Sequence, residues 1–492
     1  MPTVNPSDLN QLLSKANLPK TDANLKISGI THDHRKIKPG YIFAAVPGFK
    51  KHGIEYAAEA YSLGAVAILT DSVGQKLAPK NLVVVVSEDV RHDMAILARW
   101  IYDDAQSKLE SVGVTGTNGK TTTTNLIANG FDNLNQRPIL IGTIGITLND
   151  ETISSSRTTP ESTDLHAMLL AAHQKGAGSL VMEVSSHALS LGRVDGIKYE
   201  VAVFTGLTQD HLDFHADMND YFAAKAKLFT KERASNAVVC IDDAWGLQLK
   251  DVSEIPVITY GVSNPNADWV AKDISVQDDG RTKFTAVYGE KEVQVLLSIP
   301  GDFNIANALA AIATANVLML DLHKFVEGFS DIKVPGRLER VESGQDFVAL
   351  VDYAHTPDAV ARAIGVARTC TSGKVIAVLG CGGDRDPHKR IPMGTNAGAN
   401  ADVVVVTDDN PRTEDPAAIR AEVLIGANQG TAEVFEIGNR LEAIHFAVKT
   451  ANPGDCLILL GKGHETGQEI DGVVTPFDDR LVLAEALRAR MT

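Results

Sequence analysis

Eleven consecutive residues, Val112-Gly113-Val114-Thr115-Gly116-Thr117-Asn118-Gly119-Lys120-Thr121-Thr122, carry the clearest chemistry in the chain. Apolar residues precede the glycines, as in a buried strand, and Leu126 and Ile127 follow, as on the inner face of a helix. A glycine loop between strand and helix points backbone N–H groups at a ligand from the positive helix end, where phosphates bind. Lys120 would reach the terminal phosphates and Thr121 would ligate Mg²⁺. The loop is a variant, because Val114 stands where the strict pattern has its first glycine. The competing reading is a tight strand-to-helix turn without a ligand.

Further reactive groups follow strand-like stretches. Ser179 to Met182 runs into Glu183-Val184-Ser185-Ser186-His187, and Val201 to Phe204 runs toward Asp210-His211-Leu212-Asp213. In open parallel sheets, ligands bind outside the carboxyl ends of the strands. Glu183 and His211 are therefore candidate ligands for a metal near the γ-phosphate. Tyr221, Lys225, Leu228 and Phe229 share one helical face by their spacing. A lysine on an apolar stripe either snorkels to water or sits in a pocket that lowers its pKa. In the second case the neutral amine can add CO₂ and become a metal-binding carbamate.

Toward the C-terminus, three strand-like runs each end in a polar loop. The loops are Gly380-Cys381-Gly382-Gly383-Asp384-Arg385-Asp386-Pro387-His388-Lys389-Arg390, Asp408-Asp409-Asn410-Pro411-Arg412 and Gly461-Lys462-Gly463-His464-Glu465. If the strands are parallel, the loops meet in one crevice. Arg390 and Arg412 could clamp carboxylates through two parallel bonds, and Glu465 could hold an ammonium. Such a crevice suits a zwitterionic amino acid.

These groups need a scaffold, and length and pattern describe it. A chain of 492 residues suggests about three domains. Residues 1–107 read as a small α/β unit, 108–335 as a mostly parallel sheet covered by helices, and 336–492 as a second parallel α/β unit. The stretch Trp269 to Ile299 alternates apolar and polar residues around an Asp278-Asp279-Gly280 turn, which predicts antiparallel hairpins; Asn304 to Val317 predicts a helix. In the first unit, the loops Thr31-His32-Asp33-His34-Arg35 and Gly48-Phe49-Lys50-Lys51-His52-Gly53 read equally well as solvated loops or as a seat for a diphosphate or sugar nucleotide.

Composition removes several classes. With 46 Lys+Arg against 62 Asp+Glu, the net charge is −16, which argues against a nucleic-acid groove. The four cysteines form no C-x-x-C pair, so zinc and redox motifs are not expected. No signal peptide and no membrane-spanning stretch is expected, which predicts a cytoplasmic protein.

Taken together, the motifs resemble those of the Mur ligases of peptidoglycan synthesis. The resemblance runs along the whole chain: Thr115 to Thr122, Thr158-Thr159-Pro160, Glu183 to His187, Asp210 to Asp213, Lys225, Gly301 to Asn307, Pro335-Gly336-Arg337, Asp352 to Pro357, Asp409 to Arg412 and Gly461 to Glu465. It implies a UDP-binding N-terminal domain, a central P-loop ATPase and a C-terminal Rossmann-like domain. It also implies ATP-dependent amide formation through an acyl phosphate, with Mg²⁺ as the second cofactor and a monomeric enzyme. Residues Gly116, Thr117, Asn118, Gly119, Lys120, Thr121 and Thr122 match the ATP loop, and Asn304, Arg337 and Asp352 match other nucleotide contacts. Thr121, Glu183, His211 and a carbamylated Lys225 would serve the metal. Thr158, Thr159, Ser185 and Arg193 match the site for UDP-N-acetylmuramoyl-L-alanyl-D-glutamate, and His34 is assigned to the same substrate although it departs from the family pattern. Arg390, Asp409, Asn410, Pro411, Arg412, Gly461 and Glu465 match that for meso-diaminopimelate. The chain differs from the family pattern at His34, Arg157 and Leu191. An L-lysine-adding relative and a folylpolyglutamate synthetase-like ligase are the alternative readings.

Overall fold

The computed structural model describes residues 2–491 apart from 49, 50, 150, 154, 156 and 278–280. The expected Asp278-Asp279-Gly280 turn and the Phe49-Lys50 part of the first-unit loop lie outside the described residues. Three principal sheets occur in three successive stretches of chain. The first has four parallel strands in the order Gly29–Thr31, Tyr41–Ala44, Ala65–Thr70 and Val83–Val86. The helix Val90–Ile101 covers it through Met94, Leu97 and Ala98, packed with Ile42, Leu69 and Val85.

The second sheet has eleven strands. Its strand Glu110–Thr115 lies between Ser179–Glu183 and Tyr199–Phe204, both parallel to it. The chain crosses to one side of this strand and later to the other, so a crevice opens at its carboxyl end. Antiparallel pairs finish both edges: Ile146–Leu148 with Glu151–Ile153, and the three strands Trp269–Val276, Thr282–Tyr288 and Lys291–Leu297. On one face, helix Lys120–Asn133 packs against helix Asp302–Val317. The second helix is apolar nearly all round because it is enclosed, with Leu309 to Ala313 at 0 % exposure. Leu126, Ile127 and Phe131 are fully buried between helix and sheet, and each contributes roughly 1.5–3 kcal/mol relative to an exposed position.

The third sheet runs Glu339–Arg340, Val348–Asp352, Cys456–Leu460, Val375–Leu379, Val403–Val406 and Glu433–Glu436, parallel except for its first strand. Separate cores cover its two faces. Strands buried on both sides carry unbroken apolar runs, which is why they stand out in the sequence. The loops after Leu379, Val406 and Leu460 leave the same edge of this sheet. Among the described residues, no helix is long and apolar enough to cross a membrane.

Candidate active site

The strand Glu110–Thr115 ends at the glycine loop, and two of its glycines are obligatory. Gly116 (φ +147°) would place a Cβ 2.0 Å from Thr205 Oγ1, and Gly119 (φ +86°) would place one 2.5 Å from Asn307 Oδ1. The following helix has no side-chain cap and no acid in its first turn, so its positive end is left to an anion. Lys120 Nζ donates to the carbonyls of Gly116 (3.0 Å) and Thr117 (2.8 Å). Thr205 Oγ1 donates to the Asn118 carbonyl at 2.6 Å, and Thr117 Oγ1 lies 3.2 Å from the Tyr221 hydroxyl. The loop is therefore held in shape by its neighbours. Thr122 is buried one residue beyond Thr121.

Glu183 stands in register with Val114 and is 1 % exposed. Its carboxylate accepts from Thr121 Oγ1 (2.9 Å), Thr143 N (2.9 Å) and Thr143 Oγ1 (3.0 Å). A hydroxyl and a carboxylate beside a phosphate loop are the oxygen donors that suit Mg²⁺, which takes its other ligands from water and phosphate. Among the described residues, no three His, Cys, Asp or Glu side chains form a metal cluster. Lys225 is 1 % exposed, on the same buried face as Tyr221, Leu228 and Phe229. Its Nζ donates to the Gly116 carbonyl at 2.8 Å and lies 4.6 Å from the Tyr221 ring centre. Burial, then the charge of Lys120, push its pKa well below the ordinary lysine range. His211 has a left-handed backbone (φ +56°) and lies 3.4 Å from Asp210, with its ring 4.8 Å from that of His187. Burial holds its imidazole below the ordinary range against the pull of Asp210, leaving a neutral ring.

The third unit reaches this centre at its first turn. Arg337 Nη2 donates to Thr121 Oγ1 at 3.0 Å, and the guanidinium lies 4.7 Å over the Tyr353 ring. Asp352 accepts from the N–H groups of Leu338 (2.7 Å) and Ala354 (2.8 Å), so it braces this turn; burial pushes its pKa up. Asn304 is occupied at both ends, donating to the Pro300 carbonyl at 2.7 Å and accepting from Asn307 Nδ2 at 2.9 Å. It shapes the wall behind Gly119 through Asn307.

Thr158 and Thr159 enter from the other side. Thr158 Oγ1 lies 3.2 Å from Thr143 Oγ1, while Thr159 Oγ1 donates to the Glu183 carbonyl (2.9 Å) and accepts from Ser185 N (3.2 Å). Ser185 caps a short helix. Arg193 lies 2.9 Å from the buried Glu161, which Arg157 and Arg91 also contact. His34 stacks on Tyr56 (4.5 Å) and lies 3.5 Å from Glu59. Its loop meets the central unit through Lys36 and Asp164 at 3.0 Å.

The three C-terminal loops do meet. Gly383 N donates to the Asn410 carbonyl at 2.9 Å, and Asn410 Nδ2 donates to Glu465 at 2.8 Å. Gly461 (φ +111°) would set a Cβ 2.6 Å from Asp409 Oδ2, so no side chain fits there. Pro411 follows Asn410 and its carbonyl packs on Gly383. Arg412 has a left-handed backbone (φ +54°); Nη1 donates to the Gly383 carbonyl at 2.6 Å, and Nε lies 3.4 Å from Glu469. Glu465 holds the Lys462 ammonium at 3.1 Å.

Two further side chains in this region are engaged within the chain. The Arg390 clamp is closed on the chain's own carboxylates, with two bonds to Glu414 (2.9 and 2.8 Å) and one to Glu422 (3.4 Å). Asn410 is consumed internally, because Oδ1 accepts from Lys462 and from Glu469 N. It positions the crevice loops against one another. The sequence reading also missed Thr143 and His464, whose Nε2 lies 3.1 Å from the Thr143 carbonyl oxygen. Thr143 was legible, since it follows the strand Pro138–Ile141 at the same sheet edge as Glu183.

Three family descriptions match successive parts of the chain: "Mur ligase family, catalytic domain" over residues 26–102, "Mur ligase middle domain" over 114–315 and "Mur ligase, glutamate ligase domain" over 336–463. The chain is 45% identical to the UDP-N-acetylmuramoyl-L-alanyl-D-glutamate–2,6-diaminopimelate ligase of Streptomyces avermitilis, covering 99% of this chain and 97% of the relative. It is 46% identical to the protein of that name from Corynebacterium glutamicum, covering 92% and 89%. A solved structure of a ligase with this name superposes with a TM-score of 0.71 at 31% identity, covering 99% of this chain and 100% of the other. A MurF ligase from Thermotoga maritima in complex with ADP shares the fold, with a TM-score of 0.63 at 20% identity over 93% and 96%.

Proposed function

The chain belongs to the Mur ligase family, and from that premise we propose that it is the ATP-dependent ligase that joins meso-diaminopimelate to UDP-N-acetylmuramoyl-L-alanyl-D-glutamate in peptidoglycan precursor synthesis. One observation carries the reading: the Asp409–Arg412 and Gly461–Glu465 loops meet at one sheet edge and bring a guanidinium and a carboxylate to it, on a unit whose Arg337 touches the phosphate loop. The acceptor's terminal carboxylate takes the γ-phosphoryl group of ATP and becomes an acyl phosphate. The incoming amine attacks the acyl carbon, loses a proton and expels phosphate, leaving an amide. Phosphorylation supplies the leaving group that a carboxylate lacks.

The residues divide this work. The N–H groups of Gly116 to Thr122 receive the phosphates, and Lys120 turns from the loop carbonyls to the terminal phosphates, offsetting developing charge. Mg²⁺, when bound at Thr121 and Glu183, supplies Lewis-acid polarisation of the phosphoryl oxygens. His211 and a carbamylated Lys225 would also serve the metal. Thr158, Thr159, Ser185 and Arg193 hold the muramoyl dipeptide, with His34 toward the nucleotide end of that substrate. Arg412 reads the far carboxylate of diaminopimelate, and Glu465 holds its ammonium in place of Lys462. The reading includes a monomeric enzyme that acts in the cytoplasm, where its nucleotide substrates are.

The test is phosphate release by the purified protein with ATP, Mg²⁺ and each substrate. Release is expected only when the UDP-muramoyl dipeptide and diaminopimelate are both present. Rapid hydrolysis of ATP by the protein alone, unaffected by either, would contradict the reading.

A further inference from the structure

The amino-acid crevice and the phosphate loop lie on different units, and one side chain joins them. His464 stands in the crevice loop between Gly463 and Glu465, and its Nε2 lies 3.1 Å from the Thr143 carbonyl oxygen, 321 residues away in sequence. A carbonyl oxygen only accepts, so Nε2 carries the proton; Nδ1 is buried with no partner among the described residues. Thr143 binds the Glu183 carboxylate twice, through N and Oγ1.

The imidazole is also held from behind. Its ring lies 5.0 Å from that of Tyr353, and the Arg337 guanidinium lies 4.7 Å from the same Tyr353 ring. Arg337 in turn donates to Thr121. No slack exists at the turn between the units, because a Cβ on Gly336 would fall 2.1 Å from His464 N. Two routes therefore leave His464, one through Thr143 and one through Tyr353 and Arg337, and both end on the bonded pair Thr121–Glu183. One residue further along, Glu465 holds the Lys462 ammonium. An amino acid whose own ammonium competes with Lys462 for Glu465 would act one residue from His464.

We propose that His464 is a positioning residue that couples the two sites: through Thr143 it fixes Glu183 and Thr121 when the crevice is filled, so that nucleotide and diaminopimelate strengthen each other's binding. The inference rests on the functional reading above. Coupling of this kind is reciprocal and amounts to roughly 5–150-fold in typical proteins.

Calorimetric titration of the full-length protein with meso-diaminopimelate tests it, with Mg²⁺ present and with or without a non-hydrolysable ATP analogue. In the wild type the analogue should tighten diaminopimelate binding by at least about fivefold. In His464→Ala the ratio should fall below about twofold, while affinity for the analogue alone changes less than that. His464→Gln, which can place a donor amide where Nε2 stands, should restore most of the ratio. Thr143→Ala keeps the carbonyl but removes the Oγ1 bond to Glu183, and should also lower the ratio; it carries the test if His464→Ala does not fold. A wild-type ratio of one, or an unchanged ratio in both the His464 and Thr143 variants, would overturn the coupling alone. A wild type that binds no diaminopimelate in any condition would overturn the functional reading and this inference with it.

Discussion

Lys225 shows how much one residue's environment decides. Its buried stripe was legible because Tyr221, Lys225, Leu228 and Phe229 recur at helical spacing, and all four are enclosed. What spacing could not show is the second lysine: Lys120 donates to the same Gly116 carbonyl and lowers the Lys225 pKa further. A neutral amine in that position can take up CO₂. Lys225→Ala should cut turnover by about 10²–10³, the usual cost of removing one group that stabilises transferring charge. A ¹³C-carbamate signal from wild-type protein in labelled bicarbonate should vanish in the variant. Near-normal turnover in saturating Mg²⁺ would contradict the role. Arg390 and Asn410 were legible as polar residues but not as ones bonded within the chain, because their partners Glu414, Glu422 and Lys462 lie 24 to 52 positions away. His166 gives a prediction about stability. Burial lowers its pKa from 6.5 to about 4, so the folded protein holds it neutral. The unfolded chain takes up a proton first as pH falls, so the His166 contribution is intact above pH 6.5 and is lost toward pH 4. Unfolding titrations of the wild type and His166→Gln should converge over that window; parallel curves would contradict the assignment.

At the scale of elements, buried parallel strands were legible as short apolar runs, and Val375–Leu379 and Cys456–Leu460 are each followed by a glycine. Neighbour order was not legible. Ser179–Glu183 lies beside Glu110–Thr115 although 63 residues separate Thr115 from Ser179, and only pairing shows that Glu183 and Thr121 meet. The contact of His464 with Thr143 belongs to the same class. The turn at Gly336 gives the test at this scale. It has φ +65°, and an added Cβ would meet backbone atoms of Gly463 and His464 at 2.3 and 2.1 Å. Backbone cannot yield as a flexible side chain can, and a non-glycine residue is strained at that φ. Gly336→Ala should therefore loosen the third unit from the phosphate loop. Turnover should fall at least tenfold, on the order of 1.4 kcal/mol in barrier, and cleavage by a non-specific protease near residue 336 should quicken. Unchanged activity and unchanged protease resistance would contradict the docking described here.

For the whole molecule, the chemistry lies where the units meet. The phosphate loop and Glu183 come from the second sheet, while Arg337 and the crevice loops come from the third. The first unit touches the second through Lys36 and Asp164 and through Arg91 and Glu161. A net charge of −16 is compatible with anionic substrates because Arg91, Arg157 and Arg193 converge on the single carboxylate of Glu161. The central claim concerns the crevice, and steady-state phosphate release with meso-diaminopimelate against L-lysine tests it most directly. The two amino acids differ by one carboxylate, which Arg412 would pair on this reading, and a site whose polar group is left without its partner rejects the analogue by roughly 10⁴–10⁵. A kcat/KM ratio of that order in favour of diaminopimelate, collapsing in Arg412→Ala, is the predicted result. Equal efficiency with lysine, or an Arg412→Ala variant that keeps the full preference, would contradict the account.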